Sequence, residues 1–258
     1  GGIGDGSTII IATGTYVGTV TVNGKKFPVL ETGSNDYTVL YDNATDHAQG
    51  LLDFATHASI TSALDTSDFT ACFLEGTSIA TPAGDVSVNA LSIGDMVVNA
   101  DGAEVAVKWI GRQTVSTRFG PAERLMPVRF AAGSLGEGLP HTDLTVTADH
   151  GMLVEGVICH AGALVNGTTI TRVPLTEMGE QYVVYHIETE AHEIILANGA
   201  PAETFIDNVS RRAFDNFAEF DALYGDVPEM DELDYPRAMS ARQVPETIRR
   251  TLAARCVA

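Results

Sequence analysis

Cys72, Thr147, His150, His186 and His192 are the residues of this chain whose types and spacing could do chemistry. Cys72 sits in TACFLEGTSIAT, residues 70–81, directly after the small residue Ala71. A thiol acts as a nucleophile only as thiolate, which needs a nearby base or positive charge. Thr147 and His150 share the segment LTVTADHGMLV. A threonine hydroxyl can donate or accept, and histidine is the side chain that most readily carries a proton near neutral pH. His186 and His192 share YHIETEAHEI, and NGAPAET follows at 198–204. Each residue alone has a plainer explanation. A lone cysteine is commonly a small buried hydrophobe, and a lone strand histidine is commonly structural.

The elements that must position these side chains are short strands. FLEGTSIAT, GDVSV, DMVVNADG, VAVKWIGRQTV, LMPVRF, LTVTADHGMLV, TTITRV, QYVVYHIET and HEIILANG succeed one another from Cys72 to about Thr204. Short strands at regular spacing with turn signals between them argue an all-β domain. Asp101-Gly102 reads as a hairpin turn. Upstream, residues 1–71 read as a small β-rich segment. GGIGDG is a linker end, STIIIATGTYVGTVTV and DYTVLYD are strands, Asn23-Gly24 is a hairpin turn, and residues 51–69 suggest a short helix and loop. Downstream, residues 205–258 read as a helical tail. Asp207 to Tyr224 carries Val209, Ala213, Phe217 and Phe220 on one face. GDVPEMDELDYP is an acidic linker, and Val244-Pro245-Glu246 starts a terminal helix with Ile248 and Leu252 on its apolar face.

The chain has 258 residues, 45% of them hydrophobic and 7% aromatic. Its net charge is −19, from 34 acidic against 15 basic residues. That balance argues against nucleic acid and anionic membranes as partners, since both select a basic footprint. The cysteines are Cys72, Cys159 and Cys256, too few and odd for a disulfide framework. No apolar run is long enough for a membrane span. The chain begins at Gly1 without a signal peptide and reads as a piece of something longer.

The order of these motifs resembles the Hint domain, the self-processing module shared by inteins and hedgehog proteins, over residues 72–204. CF-x-x-G-T-x-I opens the stretch at Cys72, the T-x-x-H box of Thr147 and His150 lies near its middle, and ANG-x-x-A-E closes it. The bacterial Hint-like group is the most similar. The resemblance implies an all-β, pseudo-twofold horseshoe, preceded here by the small antiparallel unit and followed by one or two short helices. It also implies an N-to-S acyl shift at Ala71–Cys72. The Cys72 thiol would attack the Ala71 carbonyl, Thr147 would hydrogen-bond around the scissile amide, and His150 would polarise it and protonate the amine. Such a step needs proximity, oxyanion stabilisation and a general acid.

The closing half departs from the splicing pattern. Where splicing inteins end in His-Asn, this chain has Glu203 and Thr204, and neither forms a succinimide. His186 stands where many inteins have Asp, and His192 matches the later histidine. The resemblance therefore implies cleavage at the N-terminal junction only. The substrate would be the chain's own N-terminal segment, water or a small nucleophile would accept the acyl group, and His186 could deprotonate it. No cofactor and no metal are expected. Cys159-His160 with His141 and His150 lacks a C-x-x-C partner, and adjacent strand residues face opposite ways. Cys159 and Trp109 read as core, with Cys159 alternatively a redox partner for Cys72. Asp149 either orients His150 or faces water, and His47 and His57 read as surface residues. Two other functions compete. One is a catalytically silent Hint-fold module in a secreted or surface β-rich interaction protein. The other is a cysteine hydrolase using Cys72 and His150 in trans. The hydrolase is disfavoured because such nucleophiles sit on a turn opening a helix, whereas FLEGTSIAT is strand-like. Acidic character and the bacterial-type motif suggest a secreted or cell-surface location.

Overall fold

The computed structural model describes residues 15–22, 25–33, 36–39, 71–117, 122–206, 211–228 and 230–255. They fall into two compact units, one carrying the first three strands and the other everything from Ala71 onward. The expectations for residues 1–6 and 51–69, and for His47, His57 and Cys256, lie outside the described residues.

The smaller unit is a three-stranded antiparallel sheet of β1 (Thr15–Val22), β2 (Lys25–Gly33) and β3 (Asp36–Val39). Val22 opposes Lys25, so the two strands pair antiparallel up to their adjoining ends.

The larger unit holds two seven-stranded sheets. Its strands in chain order are β4 (Phe73–Leu74), β5 (Ser78–Thr81), β6 (Gly84–Ser87), β7 (Met96–Val98), β8 (Glu104–Ser116), β9 (Val128–Phe130) and β10 (Leu144–Val146). Then follow β11 (Gly151–Val154), β12 (Val157–His160), β13 (Ile170–Arg172), β14 (Gln181–Thr189), β15 (Ile194–Ala197), β16 (Ala200–Glu203) and β17 (Arg237–Ala238). One sheet runs β13-β9-β10-β4-β14-β8-β7 and the other β17-β12-β11-β16-β15-β5-β6. Short helices α1 (Ala122–Leu125), α2 (Leu175–Met178), α3 (Phe217–Tyr224) and α4 (Glu246–Ala254) decorate them. Among the described residues no helix is long and apolar enough to cross a membrane.

The long β8–β14 ladder explains much of the site. In β8, Val107, Trp109, Gly111, Gln113 and Val115 are buried while Arg112, Thr114 and Ser116 face out, the period-2 signature of a strand. Antiparallel pairing sets His186 opposite Gly111 and Glu188 opposite Trp109. FLEGTSIAT divides into β4 and β5 around a turn at Gly76, whose φ of 84° suits glycine. Asn198 (φ 46°) and Gly199 (φ 79°) make the tight turn that joins β15 to β16. Glu155 (φ 48°) and Gly156 (φ 78°) do the same between β11 and β12, a hairpin the sequence does not announce.

The tail differs from its expectation. The apolar spacing predicts one helix over Asp207–Tyr224; of that stretch the described residues begin at Arg211, and they form a 3-10 turn at Arg211–Ala213 and then α3, which begins only at Phe217. The break has a cause. Asp215 and Asn216 spend their short polar side chains on the edge of β8: Thr114 N donates to Asp215 Oδ2 at 2.7 Å and Arg112 N to Asn216 Oδ1 at 2.8 Å. Asn216 Nδ2 also donates to the Ile110 carbonyl at 2.9 Å. Such residues offer the backbone an alternative to helix. The tail is also part of the core. Phe205, Phe214 and Phe220 pack with Cys72, Trp109 and Val184, and Ile248 and Leu252 of α4 join the main apolar cluster.

Candidate active site

Cys72 precedes β4 and is fully buried. Two neighbouring strands hold it. Thr147, at the end of β10, accepts a hydrogen bond from the Cys72 amide nitrogen through Oγ1 at 2.8 Å. The Thr147 backbone nitrogen donates to the Cys72 carbonyl at 2.9 Å, which continues the β4–β10 ladder past Phe73 and Val146. On the other side, the Cys72 sulfur lies 3.8 Å from His186 Nδ1, within hydrogen-bond range for sulfur. The amide before Cys72 and the thiol after it are thus each in contact with a polar side chain.

His150 follows Thr147 in a tight turn, with its nitrogen donating to the Thr147 carbonyl at 3.1 Å. Its ring packs on Phe73 at 4.3 Å between centroids and stands 6.2 Å from the His186 ring. Burial pushes the His150 pKa down to about 4, opposed by the Glu203 carboxylate and the Ala71 carbonyl, with His160 adding to the depression. The Ala71 carbonyl lies close enough to favour the charged ring, yet neither ring nitrogen makes a hydrogen bond of good geometry among the described residues. Burial drives His186 lower still, to about 3, helped by His150 and opposed chiefly by Glu203. Phe205 and Phe214 wall its ring at 5.1 and 5.9 Å. The close approach of Phe214 requires Gly111, since a Cβ there would come within 2.7 Å of the phenyl ring.

His192 belongs to the other end of the module. Leu233 N donates to its Nδ1 at 3.2 Å, which leaves the ring proton on Nε2 in the neutral form. Nε2 faces Glu203 Oε2 at 3.3 Å, a close electrostatic approach that misses good hydrogen-bond alignment. Glu203 is almost fully buried, and Arg237 Nη2 donates to its Oε2 at 2.9 Å. Burial alone would raise the Glu203 carboxyl, but the His192 ring and the Arg237 guanidinium outweigh it and hold the pKa at about 2. Thr204 is tied down as well. Glu193 N donates to its hydroxyl at 2.9 Å, and Thr204 N donates to the Glu193 carbonyl at 2.8 Å.

The structure therefore brings Cys72, Thr147, His150 and His186 together and sets His192 beside Glu203. Asp149 makes no hydrogen bond to the His150 ring; its side chain is about half exposed to solvent and lies 3.6 Å from His160 Nδ1. Cys159 is a free, buried thiol in the main apolar cluster, with its pKa pushed up to about 11 by burial. Cys72 belongs to the second cluster, so the two thiols sit in different parts of the core. Among the described residues no group of three or more His, Cys, Asp or Glu is arranged to hold a metal ion.

Sequence reasoning missed three charged side chains. Arg237 carries no local signal, because its partner Glu203 is brought to it by β17 running parallel to β12. Glu188, wholly buried, receives a two-pronged contact from Arg211 at 2.8 and 3.0 Å. The Arg211 guanidinium lies over the Phe205 and Phe220 rings at 4.4 and 4.8 Å. A glutamate among small residues, as in ANGAPAE, was the one available hint that a buried carboxylate would need a cation.

A family model described as "Hint domain" matches residues 71–209. Among solved structures, the chain is similar to a bacterial intein-like domain from Clostridium thermocellum at 17% identity and a TM-score of 0.39, covering 53% of this chain and 100% of that one. It is similar to the MchDnaB-1 intein at 16% identity and a TM-score of 0.38, covering 52% and 99%. For a DnaB intein from Synechocystis the values are 12%, 0.37, 53% and 100%. No curated protein matches the chain.

Proposed function

Because the chain belongs to the Hint domain family, whose members are self-processing modules, we propose that it cleaves its own backbone at Ala71–Cys72 through a thioester and does not splice. One observation carries this: the Cys72 amide nitrogen is held by Thr147 Oγ1 at 2.8 Å while the sulfur lies 3.8 Å from His186 Nδ1.

The step balances as follows. The Cys72 sulfur attacks the Ala71 carbonyl carbon. The new S–C bond forms and the C–N bond to Cys72 breaks. His186 Nδ1 takes the thiol proton, and a protonated His150 gives a proton to the leaving amine. The net result moves one proton from sulfur to nitrogen and leaves the positive charge on His186 in place of His150, which is restored when His186 gives up its proton to solvent and His150 takes one. A thioester is less stable than an amide, so the reaction runs uphill until water or a small nucleophile removes the acyl group. Holding the reacting atoms in place supplies an entropy-trap contribution. His150, near the Ala71 carbonyl, supports both general-acid and electrostatic roles.

The other junction supports cleavage without splicing. Glu203 and Thr204 replace a cyclising asparagine, and both are held by neighbours. The complete burial of Cys72 under the Phe205 and Phe214 side favours a second reading, a silent module whose thiol no acceptor reaches. A secreted or cell-surface bacterial setting, suggested by the acidic balance and the motif resemblance, fits either.

The test is to incubate the purified protein with dithiothreitol or hydroxylamine and follow intact mass. Self-cleavage gives two fragments split between Ala71 and Cys72, lost in Cys72→Ala. Intact wild type under thiol across neutral pH sinks it and leaves the silent module.

A further inference from the structure

Glu203 is a buried carboxylate on which several elements converge. It ends β16. Arg237 reaches it from β17 with Nη2 at 2.9 Å from Oε2. His192, from the loop before β15, faces the same oxygen at 3.3 Å. The third contact comes from the residue directly after His150. A Cβ built on Gly151 would lie 2.1 Å from Glu203 Oε1, so only glycine leaves room for the carboxylate there. The carboxylate thus abuts the turn that carries His150. An ion pair that merely fastened β17 to the sheet would need neither the His192 ring nor this approach. Removing a charge from water is costly unless the geometry returns something.

We propose that Glu203, anchored by Arg237, is the positioning residue of the cleavage site, its carboxylate supporting the imidazolium forms of His150 and His186 through space. The inference rests on the self-cleavage reading above. Glu203 touches neither Ala71 nor Cys72 in this role. It acts on the two rings that exchange protons with the thiol and the amine. The charged and titratable groups around it all come from other elements. His150 and His186 lie on the cleavage side, and His192 and Arg237 contact it directly. Glu232 flanks Arg237 Nε at 3.6 Å, and His160, paired with Asp149, opposes protonation of His150. Burial depresses both cleavage-side histidines, and in each Glu203 opposes that depression. The carboxylate also stays ionised across the neutral and mildly acidic range, because His192 and Arg237 hold its pKa at about 2.

The decisive comparison is wild type against Glu203→Gln, which keeps shape and drops charge. Cleavage by intact mass is followed from pH 5 to 9. Where rate follows the protonated fraction of His150, each lost pKa unit is tenfold. Glu203→Gln should cleave about tenfold slower at neutral pH, with the limb that falls with rising pH displaced about one unit to acid. Glu203→Asp should recover most of the rate. Imidazole titrations by NMR in a Cys72→Ala background read the same effect without cleavage: the His150 and His186 midpoints should fall in Glu203→Gln. If that variant fails to fold, Glu203→Gln with Arg237→Gln removes both charges together and should show the same fall. Unchanged midpoints, or an unchanged pH profile in a folded variant, overturn the proposal. A wild type that never cleaves while the midpoints do shift overturns the self-cleavage reading, and with it the role of Glu203, but not the pairing.

Discussion

The two ends of the Hint module meet around His186 and are finished in opposite ways. At the Cys72 end, both ring nitrogens of His150 and the Nε2 of His186 are buried without a hydrogen-bond partner among the described residues. At the Thr204 end, the threonine hydroxyl and amide are both engaged, and the neighbouring Glu203 is fixed by Arg237. Buried polar groups in native proteins are almost always satisfied, and exceptions call for a reason. The Glu203 end has exceptions too, but of another kind: His192 Nε2 and Arg237 Nε also lack a hydrogen bond among the described residues, yet each faces a carboxylate, at 3.3 Å from Glu203 and 3.6 Å from Glu232, whereas no carboxylate among the described residues pairs with the His150 and His186 rings at that range. On the self-cleavage reading, one end would keep capacity for proton transfer and the other would have exchanged it for structure.

The sharpest way to break that contrast is to disarm the open end. Cys72→Ala should abolish cleavage altogether, and His150→Ala should slow it by about 10²–10⁴, the usual contribution of a general acid. Fragment formation by intact mass reads both, and a His150→Ala protein cleaving at the wild-type rate would make the orphaned ring incidental. At the closed end, Arg237→Ala strands a buried carboxylate. It should cost about 3–5 kcal/mol of stability in urea unfolding, and a loss below about 1 kcal/mol, the surface-pair range, would remove the claim of a paired end.

Acid should weaken both ends, with the sign set by three groups. Well above pH 6.5, His150 and His186 are neutral in all but a small fraction of both the folded and the unfolded chains. Below it the unfolded chain takes up protons that the native rings, held near 4 and 3, refuse, so stability falls with pH. Glu203 adds a loss as pH drops from 4.5 toward its native value of about 2. Thermal midpoints should decline steadily from pH 6.5 to 3, and a flat profile would deny that the rings are buried neutral. The smallest effect is expected from Thr204→Asn. It should yield no cleavage after residue 204 by mass spectrometry, and lose about 1 kcal/mol for disturbed hydrogen bonds.

Much of the open end was legible because its signals are local. The strand VAVKWIGRQTV and the Thr147–His150 spacing each follow from a few neighbouring residues. The closed end was not. Glu203 and Arg237 meet only through the parallel β12–β17 pairing, which no period or turn signal encodes. The helix from Asp207 was overdrawn for a similar reason. Its apolar spacing is real, but Asp215 and Asn216 are claimed by the distant edge of β8. Glu155-Gly156 was missed as a hairpin because glutamate seldom adopts a positive φ.

The attachment of β17 also has a consequence in time. Cys72 leaves the ribosome long before Arg237, and at about 5–20 residues per second the gap between them is on the order of ten to thirty seconds. Until Arg237 arrives, Glu203 lacks its anchor and the two histidines lack a settled counter-charge. On the self-cleavage reading, a nascent chain would therefore carry its nucleophile unarmed, and the upstream unit could finish folding before the bond behind it became breakable.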